Sequence, residues 1–218
     1  MTIVRRSPFY GLCLLIGALL FGGAGLLHPV LRGDGAMQLA QIASVTGWRT
    51  IHWSLLFAIP LMLAGLAGFS LRHQETPGAG PARAAVIVAT LGFAALMLNI
   101  LFMVGAGWQL ARTYASAEPG IAATHAVFLY DMVHPMGLAA ERLATFALGL
   151  AFYLLGWATW NGRLLPRWLA WGAFLAGAVC VVVPLVVFET SVWLFYAQAI
   201  LIVWMAATGV LMLTAARS

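Results

Sequence analysis

Six long apolar segments run through this 218-residue chain, and they constrain its fold more than any other feature. A helix that crosses the hydrocarbon core of a bilayer needs about 20 predominantly apolar residues. Only helices and closed barrels satisfy their backbone hydrogen bonds in lipid, and unbroken apolar runs exclude the alternating strands of a barrel. The predicted spans are 9–27, 50–71, 84–107, 136–157, 168–188 and 192–215. We therefore predict an all-α, polytopic membrane helix bundle with six transmembrane helices.

The composition indicates a single membrane domain. Hydrophobic residues make up 63% of the chain and charged residues 8%, with a mean hydropathy of +0.98. Roughly a quarter of the residues are charged in an ordinary soluble domain. Connections between the predicted spans are short, so residues 1–218 are predicted to form one transmembrane domain. Cys13 and Cys180 lie inside apolar segments, which gives neither a disulfide framework nor a CxxC redox pair.

The arginines predict how the chain is oriented. Seven of them fall at the termini or in the loops after the second and fourth spans: Arg5, Arg6, Arg72, Arg83, Arg163, Arg167 and Arg217. By the positive-inside rule, both termini are predicted to be cytoplasmic, with the chain in a bacterial cytoplasmic (inner) membrane. The net charge of +5 follows from this distribution, so we expect the lipid bilayer as a partner and no nucleic acid.

The loops differ on the two predicted sides. On the cytoplasmic side, 73–81 is rich in Pro and Gly and is predicted to be a flexible linker, whereas 161–166 is a tight turn. The outer loops, 28–48 and 112–134, are the longest. Within the first, 36–45 is predicted to form a short helix against the membrane surface. Long loops on a rigid scaffold often carry function.

Four of the five histidines lie at span ends or in loops on the predicted outer side: His28, His52, His125 and His134. Imidazole is the side chain most often used for metal or haem ligation and for proton transfer near neutral pH. Polar groups at membrane depth are costly enough to suggest a use. These four histidines are the candidate cofactor ligands.

The fourth span adds charged groups to this side. His134, Leu138 and Glu141 share one helical stripe, Asp131 lies one turn before His134, and Arg142 follows Glu141. A carboxylate and a guanidinium inside a span are expected to face the bundle interior or water and to be paired. We predict a polar cavity around them.

A metal or haem site, with redox activity as one use, is the first functional hypothesis. Two histidines can ligate haem iron axially, and histidines with carboxylates can hold zinc, copper or non-haem iron. The predicted metal ligands are His28, His52, His134, Asp131 and Glu141. No HxxxH, HExxH or Cys/His motif decides between haem and a transition metal.

Two further hypotheses use the same residues. One is a pocket for a lipid-like small molecule, with Asn99, Gln109 and Arg142 as polar contacts among adaptable methionines. The other is an accessory subunit whose polar residues join a membrane-protein partner or a second copy of the chain. No catalytic residue is predicted.

The C-terminal third carries a family resemblance. The run Leu164-Leu165-Pro166-Arg167-Trp168-Leu169-Ala170-Trp171-Gly172 follows an apolar helix that ends at 157–162. This run resembles a large bacterial family of six-helix membrane proteins classified only as a domain of unknown function, which often has a similar Pro-Arg-Trp-Leu turn into its fifth span. The resemblance covers the last two spans and implies a six-helix fold without an activity.

Overall fold

The computed structural model describes residues 7–116, 120–187 and 192–214, which are mostly helical and contain no strand. The helices are α1 (Pro8–Leu27), α2 (Gly35–Ser44), α3 (Trp48–Arg72), α4 (Ala79–Phe102), α5 (Trp108–Ser116), α6 (Ile121–Gly162), α7 (Arg167–Val186) and α8 (Val192–Thr214). A π-turn, Met103–Gly107, joins α4 to α5 without a break. Six helical segments are long and apolar enough to cross a membrane, which confirms the predicted fold class.

The six long helices form a closed ring in chain order. Each packs on the next, from α1 through α3, α4, α6 and α7 to α8, and α8 returns to α1. At one end, here called the turn end, lie the turns 73–78 and 163–166 together with the start of α1 and the end of α8. There, Arg72 at the end of α3 donates from Nη2 to the Met212 carbonyl of α8 at 2.7 Å. The opposite end carries α2 and α5 and is called the cap end.

Small residues let neighbouring helices approach closely. A Cβ added to Gly65 of α3 would lie 2.4 Å from the Leu14 Cβ of α1. On α6 and α7, Gly149 and Gly177 face each other, and a Cβ on either would lie 2.8–2.9 Å from the other's carbonyl oxygen. Without a hydrophobic driving force between helices in lipid, such close backbone contact is a main source of association.

At the cap end, α2 packs against the protein more closely than the sequence predicts. The side chain of Asp34 caps α2 by accepting from the Met37 amide at 2.9 Å. Predicted as a surface helix, α2 is a helix but buries Leu39 and Ile42 completely in a cluster that contains Trp48 and Tyr130. The apolar face of α2 therefore packs on protein and not on lipid. Its partners are α5 and the first turns of α6, which extend beyond the other helices at the cap end.

Other predicted boundaries also differ. The helices holding the third and fourth spans continue to Ser116 and begin at Ile121, so most of the predicted loop 112–134 is helical. The predicted flexible linker is a tight turn: the Thr76 hydroxyl donates to the His73 carbonyl at 2.9 Å and accepts from the Gly78 amide at 3.1 Å. Arg5, Arg6 and Arg217, used to predict orientation, lie outside the described residues.

Candidate functional site

A partly open cavity of about 200 Å³ lies inside the ring near the cap end. Every long helix except α7 contributes to its wall. Its lining residues include the apolar side chains Phe21, Leu55, Leu96, Ile100, Leu138, Leu194 and Phe195, and the polar side chains Gln38, His28, His52, Asn99, His134, Glu141 and Gln198. The stripe of His134, Leu138 and Glu141 predicted on the fourth span is thus on one cavity wall.

His28, the residue after α1, and His52, in the second turn of α3, lie next to each other on the cavity wall. Their Nε2 atoms are 3.3 Å apart. His52 is buried and its Nδ1 is 2.8 Å from the Trp48 carbonyl one turn earlier. That carbonyl can only accept, so Nδ1 carries the proton and the His52 Nε2 is an acceptor when the ring is neutral. Burial lowers the pKa of His28 below its ordinary value of 6.5, and a hydrogen bond to the Pro29 backbone opposes this shift. In the tautomer that carries its proton on Nε2, His28 donates to the His52 Nε2.

Trp48 ties this pair to the π-turn. Its ring centroid lies 4.3 Å from that of His52 and 5.1 Å from that of His28. Its Nε1 donates to the Met103 carbonyl at 3.0 Å. A π-turn displaces carbonyls from the regular helical ladder, and such turns recur at functional sites. The indole therefore satisfies a backbone acceptor while fixing α3 against the helix that carries Asn99.

His134 is held in an aromatic stack at another part of the wall. Its ring stacks on Tyr130, with centroids 4.6 Å apart, and lies 6.2 Å from Phe102. The Tyr130 hydroxyl donates to Gln38 Oε1 at 2.9 Å, and Gln38 Nε2 donates to the Gly33 carbonyl at 2.9 Å. These bonds connect α6 to α2 above the cavity.

Glu141 is surrounded by neutral donors. Asn99 Nδ2 donates to one carboxylate oxygen at 3.0 Å, and Gln198 Nε2 approaches the other at 3.5 Å. Gln198 Nε2 also donates to the Thr145 hydroxyl at 2.9 Å, and that hydroxyl donates to the Glu141 carbonyl at 2.9 Å. Residues from α4, α6 and α8 thereby orient a carboxylate toward the cavity.

Arg142 has a different environment. Its guanidinium donates to the Val187 carbonyl, just beyond the end of α7. The C-terminal end of a helix favours a cation because the peptide dipoles place partial negative charge there. Successive residues on a helix point about 100° apart. Arg142 therefore reaches α7, the helix absent from the cavity wall, while Glu141 faces the cavity.

The structure brings some predicted site residues together and separates others. His28, His52, His134, Glu141 and Asn99 line one cavity. His125 is exposed, because nine residues before His134 place it on the opposite face of α6. Within the described residues, no three His, Cys, Asp or Glu side chains are grouped closely enough to hold a metal ion. The five predicted metal ligands therefore do not form one ligand set.

Two other predicted residues also lie away from the cavity. The carboxylate of Asp131 packs against Gly35, the first residue of α2, where a Cβ would collide with it. The N-terminus of a helix favours a negative charge, which explains this placement. Gln109 is exposed on α5 in a separate shallow groove that includes Trp108 and Arg112.

Four contributors to the site are absent from the prediction: Gln38, Trp48, Thr145 and Gln198. For Gln198 a signal exists, because a primary amide inside an apolar span is costly and needs a partner. For Trp48 there is no separate signal, because a tryptophan at the end of a span is typical of the aromatic belt of any membrane protein. The sequence gives no indication that Gln38 belongs to the site, since its role depends on α2 folding over the ring.

Fold and cavity together define a multi-pass α-helical membrane protein with a polar, partly open internal site. No protein-family model matches the chain, and neither a curated protein nor a solved structure matches it.

Proposed function

We propose that the protein binds a small amphiphilic molecule in the cavity of the ring. The observation that carries this proposal is the division of the cavity wall into apolar surface and a few polar groups. Ligand sites are typically concave and mostly apolar, with a small number of placed polar groups that fix orientation. Here those polar groups are the pair His28 and His52, and Glu141 with the side-chain amides of Asn99 and Gln198.

The cavity volume limits the size of the bound group. At about 200 Å³ it is smaller than the roughly 300–1,000 Å³ of typical pockets for drug-sized ligands. This matches a small metabolite or the head group of a larger amphiphile. Because the cavity is partly open, the remainder of a longer molecule could extend outside it.

The route of access follows from the orientation proposed for the chain. The positive-inside rule supports a cytoplasmic turn end, and the cap end would then face outward. The similarity of 164–172 to a bacterial six-helix family supports placement in a bacterial inner membrane. The ligand would reach the cavity from the outer side of that membrane.

Blocking the cavity tests this function. Leu138→Trp fills the cavity from α6, whereas Leu143→Trp places the same bulk on the same helix at a side chain that is 61% exposed. Purified wild type and both variants are screened by thermal shift against small anionic, neutral and cationic amphiphiles. We expect at least one compound to stabilise wild type and Leu143→Trp but not Leu138→Trp. The proposal fails if no compound distinguishes wild type from Leu138→Trp.

A single metal ion at the histidine pair is a second candidate, favoured by the 3.3 Å separation of the two Nε2 atoms. Zinc bound to imidazole has metal–nitrogen bonds of about 2.0–2.1 Å, and the edge of its tetrahedron is then about 3.4 Å. The Trp48 carbonyl, which is hydrogen-bonded to His52 Nδ1, is the type of acceptor that orients histidine ligands of metal ions. The same distance is less suitable for haem, whose two axial nitrogens lie on opposite sides of the iron.

Metal content decides this candidate. Iron, copper and zinc are measured in wild type, His52→Ala and His125→Ala, the last being an exposed histidine outside the cavity. Metal that is stoichiometric in wild type and His125→Ala but lost in His52→Ala would support it. Background metal in all three proteins would leave the pair as a hydrogen bond between neutral rings.

A further inference from the structure

Glu141 lies in a cavity whose other ionisable side chains, among the described residues, are those of His28, His52 and His134. None of the described lining residues is Arg or Lys. The neighbouring cation in sequence, Arg142, donates to the end of α7 instead. The donors that reach the carboxylate are the amides of Asn99 and Gln198.

Such an environment leaves part of the carboxylate unsatisfied. An ionised carboxylate has about four acceptor positions, and two amide donors occupy about half of them. An ionised group in a poorly solvated site is costly unless it is paired, and ionisable residues within spans mark functional sites by default. A positively charged ligand would provide the missing partner.

The walls favour an organic cation over a hard metal ion. Ca²⁺ takes 6–8 oxygen ligands, and Mg²⁺ retains several waters in octahedral geometry. This cavity instead has Phe21, Phe195 and several aliphatic side chains beside a single carboxylate. The ring of Phe195 is pressed against α1, 3.1 Å from the position of a Cβ on Gly25. Aromatic faces attract ammonium groups, most strongly where both are desolvated.

We propose that the ligand of the cavity is an organic ammonium ion whose positive charge is received by Glu141. This inference rests on the proposed ligand-binding function and specifies its substrate class. In the bound state, the ammonium lies beside the carboxylate, the aromatic side chains surround its alkyl substituents, and the amides of Asn99 and Gln198 hold the carboxylate in place.

Choline and 3,3-dimethylbutan-1-ol test the role of charge, because the two molecules have nearly the same shape and differ in the cationic nitrogen. Binding is measured by competition at equal detergent concentration. Wild type should bind choline at least about tenfold more tightly than the alcohol, which corresponds to about 1.4 kcal/mol. In Glu141→Gln the ratio of the affinities for choline and the alcohol should fall to about one. Asp131→Asn, which alters a carboxylate on the same helix outside the cavity, should retain it.

The outcomes separate this inference from the function on which it rests. If wild type binds choline and the alcohol equally and Leu138→Trp blocks both, the ligand is not selected for its positive charge, and the cavity remains a ligand site. Retained preference in Glu141→Gln would overturn the role of Glu141. No binding of choline to wild type also overturns the inference, and the amphiphile screen then decides the cavity separately. The comparison in wild type needs no variant, so it remains decisive if Glu141→Gln does not fold.

Discussion

The Nε2 atoms of His28 and His52 are 3.3 Å apart, although 24 residues separate the two histidines in the sequence. This contact joins the residue that follows α1 to the second turn of α3. The end of α1 and the start of α3 lie at the cap end of the ring, so the contact also closes the connection that contains α2. Its surroundings include Trp48, whose ring contacts both imidazoles.

The histidine contact should appear as an energetic coupling. His52 is only 2% exposed, so His52→Ala loses packing as well as a hydrogen bond and should lower the free energy of unfolding by about 2 kcal/mol. In a double-mutant cycle with His28→Ala, we expect a coupling of about 0.5–1.5 kcal/mol. Unfolding in mixed detergent micelles measures it. Additive effects would show that the two rings are neighbours without a stabilising bond.

Trp48→Phe should loosen the π-turn. Phenylalanine keeps an aromatic ring but cannot donate to the Met103 carbonyl, so the hydrogen bond between α3 and the π-turn is lost. The expected loss of stability is about 0.5–1.5 kcal/mol, the contribution of a typical hydrogen bond. Hydrogen exchange of the Met103–Gly107 amides should become faster, while Trp53→Phe, at a side chain that is 40% exposed, should leave it unchanged. Unaltered exchange in Trp48→Phe would contradict the proposed support.

Asn99 and Glu141 should depend on each other. Asn99→Leu leaves the carboxylate with one donor fewer and should lower the unfolding free energy by about 1–3 kcal/mol. The cost should be smaller in a Glu141→Leu background, because removal of both partners leaves no unsatisfied group. Thr90→Val is the control on α4: its hydroxyl is exposed, and the change should be within about 0.5 kcal/mol. Equal costs of Asn99→Leu in both backgrounds would argue against the bond.

The fold was largely predictable because apolar length is a local property of the sequence. All six predicted spans lie within or nearly within the long helices, and two of the three errors concern the cap end. There, α5 and the start of α6 continue as helices beyond the apolar runs, and hydropathy alone does not distinguish a helix that leaves the membrane from a loop. Likewise, α2 has an apolar face that fits either lipid or protein, and only the rest of the fold decides between them.

The candidate site was predictable only along single helices. The stripe of His134, Leu138 and Glu141 follows from helical periodicity within α6. The meeting of His28 with His52, and the donation from Asn99 and Gln198 to Glu141, depend on which helices are neighbours in the ring. Helical periodicity also misplaces Asp131: although it lies one turn from His134, its carboxylate packs against Gly35 at the start of α2 and not on the cavity wall.

Stability should fall in mild acid because of His73 at the turn end. Its Nδ1 donates to the Phe69 carbonyl at 2.9 Å, and its side chain is 1% exposed. Burial lowers the pKa of His73 below 6.5, and the adjacent charge of Arg72 acts in the same direction. The unfolded chain therefore takes up a proton at a higher pH than the folded protein. The stabilisation is complete above about pH 6.5 and is lost as the pH falls below it toward the folded-state pKa.

A comparison of variants checks the sign of this effect. His73→Gln removes the titrating group, so its melting temperature should decrease less than that of wild type between about pH 7.5 and about pH 5.5. His125→Gln, which changes an exposed histidine, should behave like wild type. An identical decrease in wild type and His73→Gln would assign the acid sensitivity to other groups.

Two Gly→Ala substitutions should have opposite effects according to the space beside each glycine. On α7, a Cβ at Gly177 would lie 2.8 Å from the Gly149 carbonyl oxygen and from the Tyr153 backbone nitrogen, so α6 and α7 must separate. We expect Gly177→Ala to lower the unfolding free energy by about 1–3 kcal/mol. On α1, Gly23 has nothing within 4 Å of its Cβ position, and alanine there should stabilise the helix by up to about 1 kcal/mol. Both values come from unfolding in mixed micelles. If Gly177→Ala is as stable as Gly23→Ala, close backbone contact does not hold α6 and α7 together, and side-chain packing along the rest of that interface must do so instead.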